Sequence, residues 1–147
     1  MQTSFYASGF LYSLKTHRIL LIKSQQQNSS DFLWSTIEGE CSKDEEAQAA
    51  FQRIVSESLN LELKPKNIYP IYDYFHDGKD KINYVFYAEI KTPREFESFK
   101  GSAVSWVAFG EISKLLFTEH TKQDVIVGER VINAKWREDE AGKTENS

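Results

Sequence analysis

The chain has 147 residues, a formal net charge of −4 and one cysteine, Cys41. A single cysteine excludes an internal disulfide bond and a cysteine-based zinc site, and we expect Cys41 to be a packing residue. The negative charge and the lack of a long basic run argue against binding to the backbone of bulk nucleic acid. No apolar run reaches membrane-spanning length and no signal-peptide pattern is visible, so we expect a cytoplasmic protein without a membrane partner.

The first part of the chain predicts strands. Residues 5–14 mix aromatic and small side chains, and residues 19–22 form a short apolar run after a polar turn. Together they predict a β-hairpin. Residues 25–31 are polar and rich in Ser and Asn, which predicts a loop, and residues 33–37 predict the next strand.

A helix is predicted to begin at Ser42 and to end near Leu59. Ser42 is followed three residues later by Glu45, which matches a capping box. Apolar side chains then recur at spacings of three and four, which predicts one buried face of the helix. The members of this apolar stripe are Ala47, Ala50, Phe51, Ile54, Val55 and Leu59.

Two long strands are predicted after this helix, at residues 68–75 and 82–90. The residues between them include Asp-Gly, a turn signal that predicts a second hairpin. Residues 92–102 predict a loop, and residues 104–109 predict a further strand.

The C-terminal part predicts a short helix at residues 111–116 and an amphipathic helix at residues 119–136. Residues 137–147 are polar and predict a disordered tail. The order of elements predicts one domain over residues 1–136, of the α/β or α+β class.

Residues 39–61, GECSKDEEAQAAFQRIVSESLNL, contain the most informative motif. They resemble the Nudix box, which is a glycine, five residues, a glutamate, seven residues, and then Arg-Glu-apolar-any-Glu-Glu-any-Gly-apolar. The matching positions are Gly39, Glu45, Arg53, Val55, Glu57 and Leu61. The strand order and the Trp106 strand with the Glu111-Ile112 helix also resemble the family. The resemblance implies a Nudix-type α/β/α sandwich with a mixed β-sheet.

Three box positions differ from the family pattern, namely Ile54, Ser58 and Asn60. The resemblance implies cleavage of a pyrophosphate joined to another group, usually in a nucleotide, with Mg²⁺ or Mn²⁺ as the cofactor. Carboxylates supply most of the affinity for such a hard cation. The three metal-binding glutamates of the family's box helix correspond to positions 54, 57 and 58 of this chain. Ile54 and Ser58 replace two of them, so the resemblance implies that Glu57 alone remains as the principal metal ligand and catalytic residue. We therefore expect hydrolysis to be weak or lost.

The pair Arg53 and Glu45 is expected to brace the loop onto the helix, as the resemblance implies. Asn60 is the mildest change, because Asn also tolerates the left-handed conformation at a helix end.

Three alternatives remain open. A relocated metal site would combine Glu57 with Glu38, Glu40 or an acid at position 95 or 97. A non-catalytic module would bind a nucleotide or a nucleotide-linked small molecule and regulate rather than hydrolyse. A scaffold would have no small-molecule ligand. The sequence also leaves a homodimer open.

The aromatic residues Tyr72, Phe75 and Trp106 are candidates for stacking on a base, since aromatic faces accept any nucleobase. Such residues in strands also commonly belong to the core. Because the sequence does not show which face of each strand is buried, we favour a core role for most of them.

Overall fold

The structure is a computed structural model. It describes residues 3–25, 31–75, 80–96, 102–118 and 120–145, with side chains described as far as residue 142.

A mixed sheet of seven strands is formed by the described residues. The strands are β1 (Phe5–Ser13), β2 (Arg18–Gln25), β3 (Phe32–Ser35), β4 (Ile37–Cys41), β5 (Ile68–Phe75), β6 (Ile82–Ile90) and β7 (Ala103–Ala108). The central path of the sheet runs β3-β2-β1-β6-β5, while β4 pairs with β1 and β7 pairs with β2. The pair β1 and β6 is parallel and the other pairs are antiparallel.

The helices α1 (Ala47–Leu59) and α2 (Thr121–Glu145) cover opposite faces of the sheet. Side chains alternate between the two faces of a strand, so Ala7 and Leu11 pack in the core under α1. Phe10 and Tyr12 pack in the core under α2. This confirms the predicted α/β/α sandwich.

Helix α1 begins at Ala47, not at Ser42 as the capping box predicted. Instead, the Ser42 N–H donates to Glu45 Oε1 at 3.1 Å, and the Glu45 N–H donates to the Ser42 carbonyl at 3.1 Å. The pattern therefore closes a turn ahead of the helix, and the Glu45 carboxylate in this turn also accepts a hydrogen bond from Arg53. The helix ends as predicted at Leu59, and Asn60 adopts a left-handed φ of 54°.

The apolar stripe predicted for α1 is confirmed. Five of its six members are buried, and the sixth, Ala47, packs against the same core. Phe51 stacks on Phe86 of β6 with ring centroids 5.6 Å apart. Cys41 is fully buried in this core, as expected of a packing residue, and burial raises the pKa of its thiol to about 11.

Several predicted boundaries differ in the structure. The strand predicted at residues 33–37 is divided between β3 and β4. The short helix predicted at residues 111–116 is a 3-10 helix over Phe109–Lys114. Helix α2 continues to Glu145, so residues 137–145 are helical where a disordered tail was predicted. The predicted loop at 25–31 and the predicted turn at 76–80 fall mostly outside the described residues.

One further 3-10 helix and one loop segment belong to the described part of the chain. A 3-10 helix over Pro65–Asn67 connects α1 to β5. Residues 92–96 follow β6 without helix or strand, in agreement with the predicted loop.

Candidate functional site

Arg53 connects helix α1 to the segment before it. Its Nε donates to Glu45 Oε2 at 2.8 Å, and its Nη2 donates to Glu45 Oε1 at 3.0 Å and to the Glu40 carbonyl at 3.0 Å. The hydrogen bond from Arg53 holds the pKa of the Glu45 carboxyl below its ordinary value. These contacts join the segment before α1 to the helix, and the two-point pairing with Glu45 is geometrically specific.

Glu57, the remaining box carboxylate, is bound to the same arginine. Arg53 Nη1 lies 3.2 Å from both Glu57 carboxylate oxygens, one helical turn away. The Glu57 side chain is 63% exposed. Its carboxylate therefore lies on the outer side of α1, as the helical periodicity predicts.

Ile54 fills the space between α1 and β4. It is 4% exposed, and its Cδ1 and Cγ1 atoms lie 2.7 Å from the point where a Cβ on Gly39 would stand. Only glycine at position 39 leaves room for this contact. Ile54, which stands where the box pattern has a glutamate, therefore makes an apolar contact with Gly39 of β4. The residues at the box positions do not fit the metal site that the resemblance implies.

The acids proposed as replacement ligands do not lie together. Glu38 and Glu40 flank Gly39 on β4, and side chains alternate along a strand, so both point away from the face that Gly39 turns towards Ile54. Glu57 lies on the α1 side. Within the described ranges, no group of three or more His, Cys, Asp and Glu side chains is placed to hold a metal ion. Position 97 is outside the described residues, and Glu95 lies beside Trp106.

A polar cavity of about 410 Å³ lies on the opposite face of the sheet, at the N-terminal end of α2. Ligand pockets typically have volumes of about 300–1,000 Å³. Its lining includes Ser8, Glu38, Tyr74, Asn83, His120, Thr121 and Asp124.

Asp124 lies in the first turn of α2 and is 2% exposed. The Tyr72 hydroxyl donates to its Oδ1 at 2.6 Å, and the Tyr74 hydroxyl donates to its Oδ2 at 3.2 Å. Burial raises the pKa of Asp124 to about 6, against the opposing effect of these two hydrogen bonds. Burial also raises the pKa of both tyrosines.

A chain of side-chain hydrogen bonds leads to this carboxylate. Ser8 Oγ donates to Asn83 Oδ1 at 3.2 Å, and Asn83 Nδ2 donates to the Tyr74 hydroxyl at 3.0 Å. Ser8 and Asn83 are both buried. The cavity wall is therefore held by partnered polar groups from β1, β5, β6 and α2.

A β-bulge brings the two tyrosines to this wall. The register of β5 with β6 shifts between Pro70 and Tyr72, so Tyr72 lies opposite Val85 and Tyr74 opposite Asn83. A bulge changes which alternate residues face a given side of the sheet. Tyr72 and Tyr74 consequently face α2, on the same side as the earlier residue Tyr69.

The three aromatic residues that were candidates for stacking on a base lie in three different places. Tyr72 is hydrogen-bonded to Asp124 behind the cavity, and Phe75 is 66% exposed at the end of β5. Trp106 packs on the α1 face, where its Nε1 donates to the Arg94 carbonyl at 2.9 Å. The structure does not bring them into one site.

Asp124, Asn83 and Ser8 were not singled out from the sequence, although two of them have a detectable signal. Asp124 lies four residues before Gly128 and next to Val125, within the buried stripe of an amphipathic helix. Asn83 lies two residues before Val85, at an inward position of an apolar strand. A polar residue at an inward position indicates either a buried network or a site.

None of the helices in the described part of the chain is long and apolar enough to cross a membrane.

Comparisons with known proteins agree with this architecture. The NUDIX domain family model matches residues 6–127. The chain is similar to the NUDIX domain of Shewanella oneidensis NrtR complexed with ADP ribose, at 12% identity and a TM-score of 0.67, with 90% of each chain covered. It is also similar to the E. coli ORF135 protein, at 15% identity and a TM-score of 0.65, covering 90% of this chain and 94% of that chain.

A third similar structure is the E. coli dihydroneopterin triphosphate pyrophosphohydrolase, at 17% identity and a TM-score of 0.61, covering 83% of this chain and 92% of that chain. No curated protein sequence matches the chain. Structural likeness at such low identity shows the fold alone. The family model, however, covers most of the sequence, and with the box geometry and the sandwich it shows that the chain belongs to the Nudix family.

Proposed function

We propose that this Nudix protein binds a nucleotide or nucleotide-linked small molecule and that magnesium-dependent hydrolysis at its box helix is weak or lost. The observation that carries the proposal is the burial of Ile54 against Gly39. An apolar side chain there cannot act on a metal ion or on water. Glu57, the carboxylate that remains, is engaged by Arg53.

The cavity beside Asp124 supports retained binding. Its volume of about 410 Å³ suits a small ligand, and its polar groups are already fixed by hydrogen bonds within the protein. The neighbour from Shewanella oneidensis is a NUDIX domain complexed with ADP ribose, which supports the nucleotide-linked class of ligand.

An active hydrolase with a relocated metal site is the alternative that the acids of β4 suggest. Glu38 lines the cavity, so one acid does lie beside the place where a ligand would bind. The relocated site also needs Glu57, which would have to leave Arg53 and reach the other side of β4. Binding without hydrolysis requires no such movement.

The test is calorimetric titration of the protein with Mg²⁺ and Mn²⁺, with and without a panel of nucleoside diphosphate derivatives, followed by assay of phosphate release. We expect binding of one member of the panel that does not depend on the metal, and no release. Glu57→Gln should leave binding unchanged, because this carboxylate is turned towards solvent and Arg53. Metal-dependent release that Glu57→Gln abolishes would establish the relocated-site enzyme instead.

The double variant Ile54→Glu with Ser58→Glu restores the two missing carboxylates. If the pocket is otherwise complete, this variant should gain magnesium-dependent turnover that the parent lacks. A variant that folds but gains no turnover on the ligand that binds would show that the box helix lacks more than its carboxylates.

A further inference from the structure

The charge of the cavity beside Asp124 is unlike that of a phosphate site. Among its described lining residues are two carboxylates, from Glu38 and Asp124, and one imidazole, from His120, with neither Lys nor Arg. Proteins bind phosphate through Arg, Lys and free backbone N–H groups. A phosphate entering this cavity would instead meet two negative charges.

The N-terminus of α2 also lies at the cavity, and helix N-termini attract anions. Here that position already holds an anion, because Asp124 is in the first turn of the helix. The protein's own acidic side chain therefore lies at the helix end that would otherwise favour an anionic ligand.

The hydrogen bonds that reach Asp124 leave it able to accept more. A carboxylate has about four lone-pair positions on its two oxygens. Tyr72 donates to one oxygen and Tyr74 to the other, which leaves each oxygen with a further lone pair. Asn83 and Ser8 hold Tyr74 in place from behind, so the direction of the carboxylate is fixed.

The two described hydrogen-bond donors to Asp124 are neutral hydroxyl groups, although its carboxyl group is almost fully buried. The His120 imidazole also acts on it electrostatically and favours its charged form. Neutral donors compensate a buried charge less well than a cation does. A ligand that brings a positive charge or strong N–H donors would therefore complete the interactions of this carboxylate.

Two aromatic side chains lie next to the same carboxylate. The rings of Tyr74 and His120, both of which line the cavity, are 4.9 Å apart between centroids and inclined by 35°. Aromatic faces of this kind accept a planar ligand ring by stacking.

We propose that this cavity receives the donor-bearing end of the ligand, an amino or amidinium group on a flat ring, whose N–H groups donate to Asp124 while any phosphate stays outside the cavity. The assignment rests on the proposed function, since the base of a nucleotide-linked ligand is the part that carries such groups. Asp124 is then the residue that determines specificity.

The test uses two probes of the same shape and opposite charge, benzamidine and benzoate, with inorganic pyrophosphate as a third. Binding to the full chain is followed by ¹⁵N NMR at the Asn83 side-chain amide and the Thr121 backbone amide, which both belong to the cavity wall. The variants are Asp124→Asn, which keeps the shape and can accept one of the two tyrosine hydrogen bonds at its amide oxygen, and Asp73→Asn as a matched control. Asp73 is an exposed residue between the two tyrosines that points to the other face of β5.

We expect benzamidine to shift both signals, and Asp124→Asn to weaken its binding by about tenfold or more, as for a hydrogen bond to a charged group. Asp73→Asn should leave binding unchanged, and benzoate and pyrophosphate should not shift these signals. Absence of benzamidine binding, equal binding of benzoate or pyrophosphate at these signals, or indifference to Asp124→Asn would overturn the proposal. The nucleotide panel and the phosphate-release assay test the proposed function separately, because none of the three probes is a nucleotide.

Discussion

The two faces of the sheet differ in whether they bury a charged group. On the α1 face, which carries the Nudix box, the contact between Ile54 and Gly39 is apolar and closed, and the ion pairs of Arg53 lie at its outer edge. On the α2 face, a carboxylate is buried beside an open cavity. Burying a charge costs free energy, whereas burying Ile54 gains it. On the α1 face, Ile54 of the box helix therefore packs against β4, whereas the α2 face carries the cavity at which we propose that a ligand binds.

The largest effect is expected where the α1 face is closed. Ile54→Ala removes buried apolar atoms and leaves a cavity beside Gly39, and should lower the free energy of unfolding by about 2–5 kcal/mol. Urea denaturation measures this loss. Ser58→Ala, one turn further along α1 at a half-buried position, is the matched control and should change stability by no more than about 0.5 kcal/mol. Equal effects of the two variants would mean that Ile54 does not close the α1 face.

On the α2 face, we expect a substitution to raise the free energy of unfolding rather than to lower it. Since the folded pKa of Asp124 is about 6 and its ordinary value is 3.8, ionisation of this group opposes folding above pH 6. Asp124→Asn does not ionise, so it should be more stable than the parent by about 1–3 kcal/mol above pH 6. The gain should shrink as the pH falls from 6 towards 4 and vanish only well below 3.8, where Asp124 is protonated in both the folded and the unfolded chain.

Thermal unfolding of the parent and of Asp124→Asn from pH 4 to pH 8 tests this dependence. The titratable groups that face Asp124 are Tyr72 and Tyr74 on β5, Glu38 on β4 and His120 ahead of α2. They are the same in both proteins, so the difference between the two curves isolates Asp124. Asp73→Asn should show no such difference from the parent. A loss of stability in Asp124→Asn at pH 8 would contradict the assignment of Asp124 as a residue that costs stability for binding.

The smallest effect is expected at the edge of the α1 face. Arg53→Lys keeps the charge but cannot hold both Glu45 oxygens and the Glu40 carbonyl at once. The side chains of Arg53 and Glu45 are 35% and 24% exposed, so solvent screening limits the loss to about 1 kcal/mol. Chemical denaturation measures it. Glu57→Gln removes only the more exposed partner and should cost less, and the reverse order would show that Glu57 rather than Glu45 braces the helix.

The box helix shows what local sequence patterns predict well. Its buried stripe, its end at Leu59 and the left-handed Asn60 were all predicted, because helical periodicity and end geometry depend on residues a few positions apart. Its beginning was predicted wrongly. The pair Ser42 and Glu45 matched a local capping pattern, but the hydrogen bonds between these two residues close a turn ahead of the helix, and Glu45 also binds Arg53, eight residues away.

The cavity shows the opposite case. The strand Ile68–Phe75 was predicted with its observed ends, yet the bulge after Pro70 reverses which of its residues face α2. Strict alternation therefore could not place Tyr72 and Tyr74 against Asp124. Phe75 and Trp106, which were named with Tyr72 as candidates for stacking on a base, lie elsewhere, because residue type alone does not fix the face of a strand.

The sequence by itself determined the family, the helix stripe and the loss of two box carboxylates, since each of these is a matter of residue identity at short spacing. Only the tertiary structure decided that Ile54 closes onto Gly39 and that Ser8 and Asn83, 75 residues apart, join Tyr74 at Asp124. The physical reason is that local patterns fix which face a side chain takes within its own element. The cost of burying a charge, and the hydrogen bonds that offset it, depend on elements that meet only when the sheet is assembled.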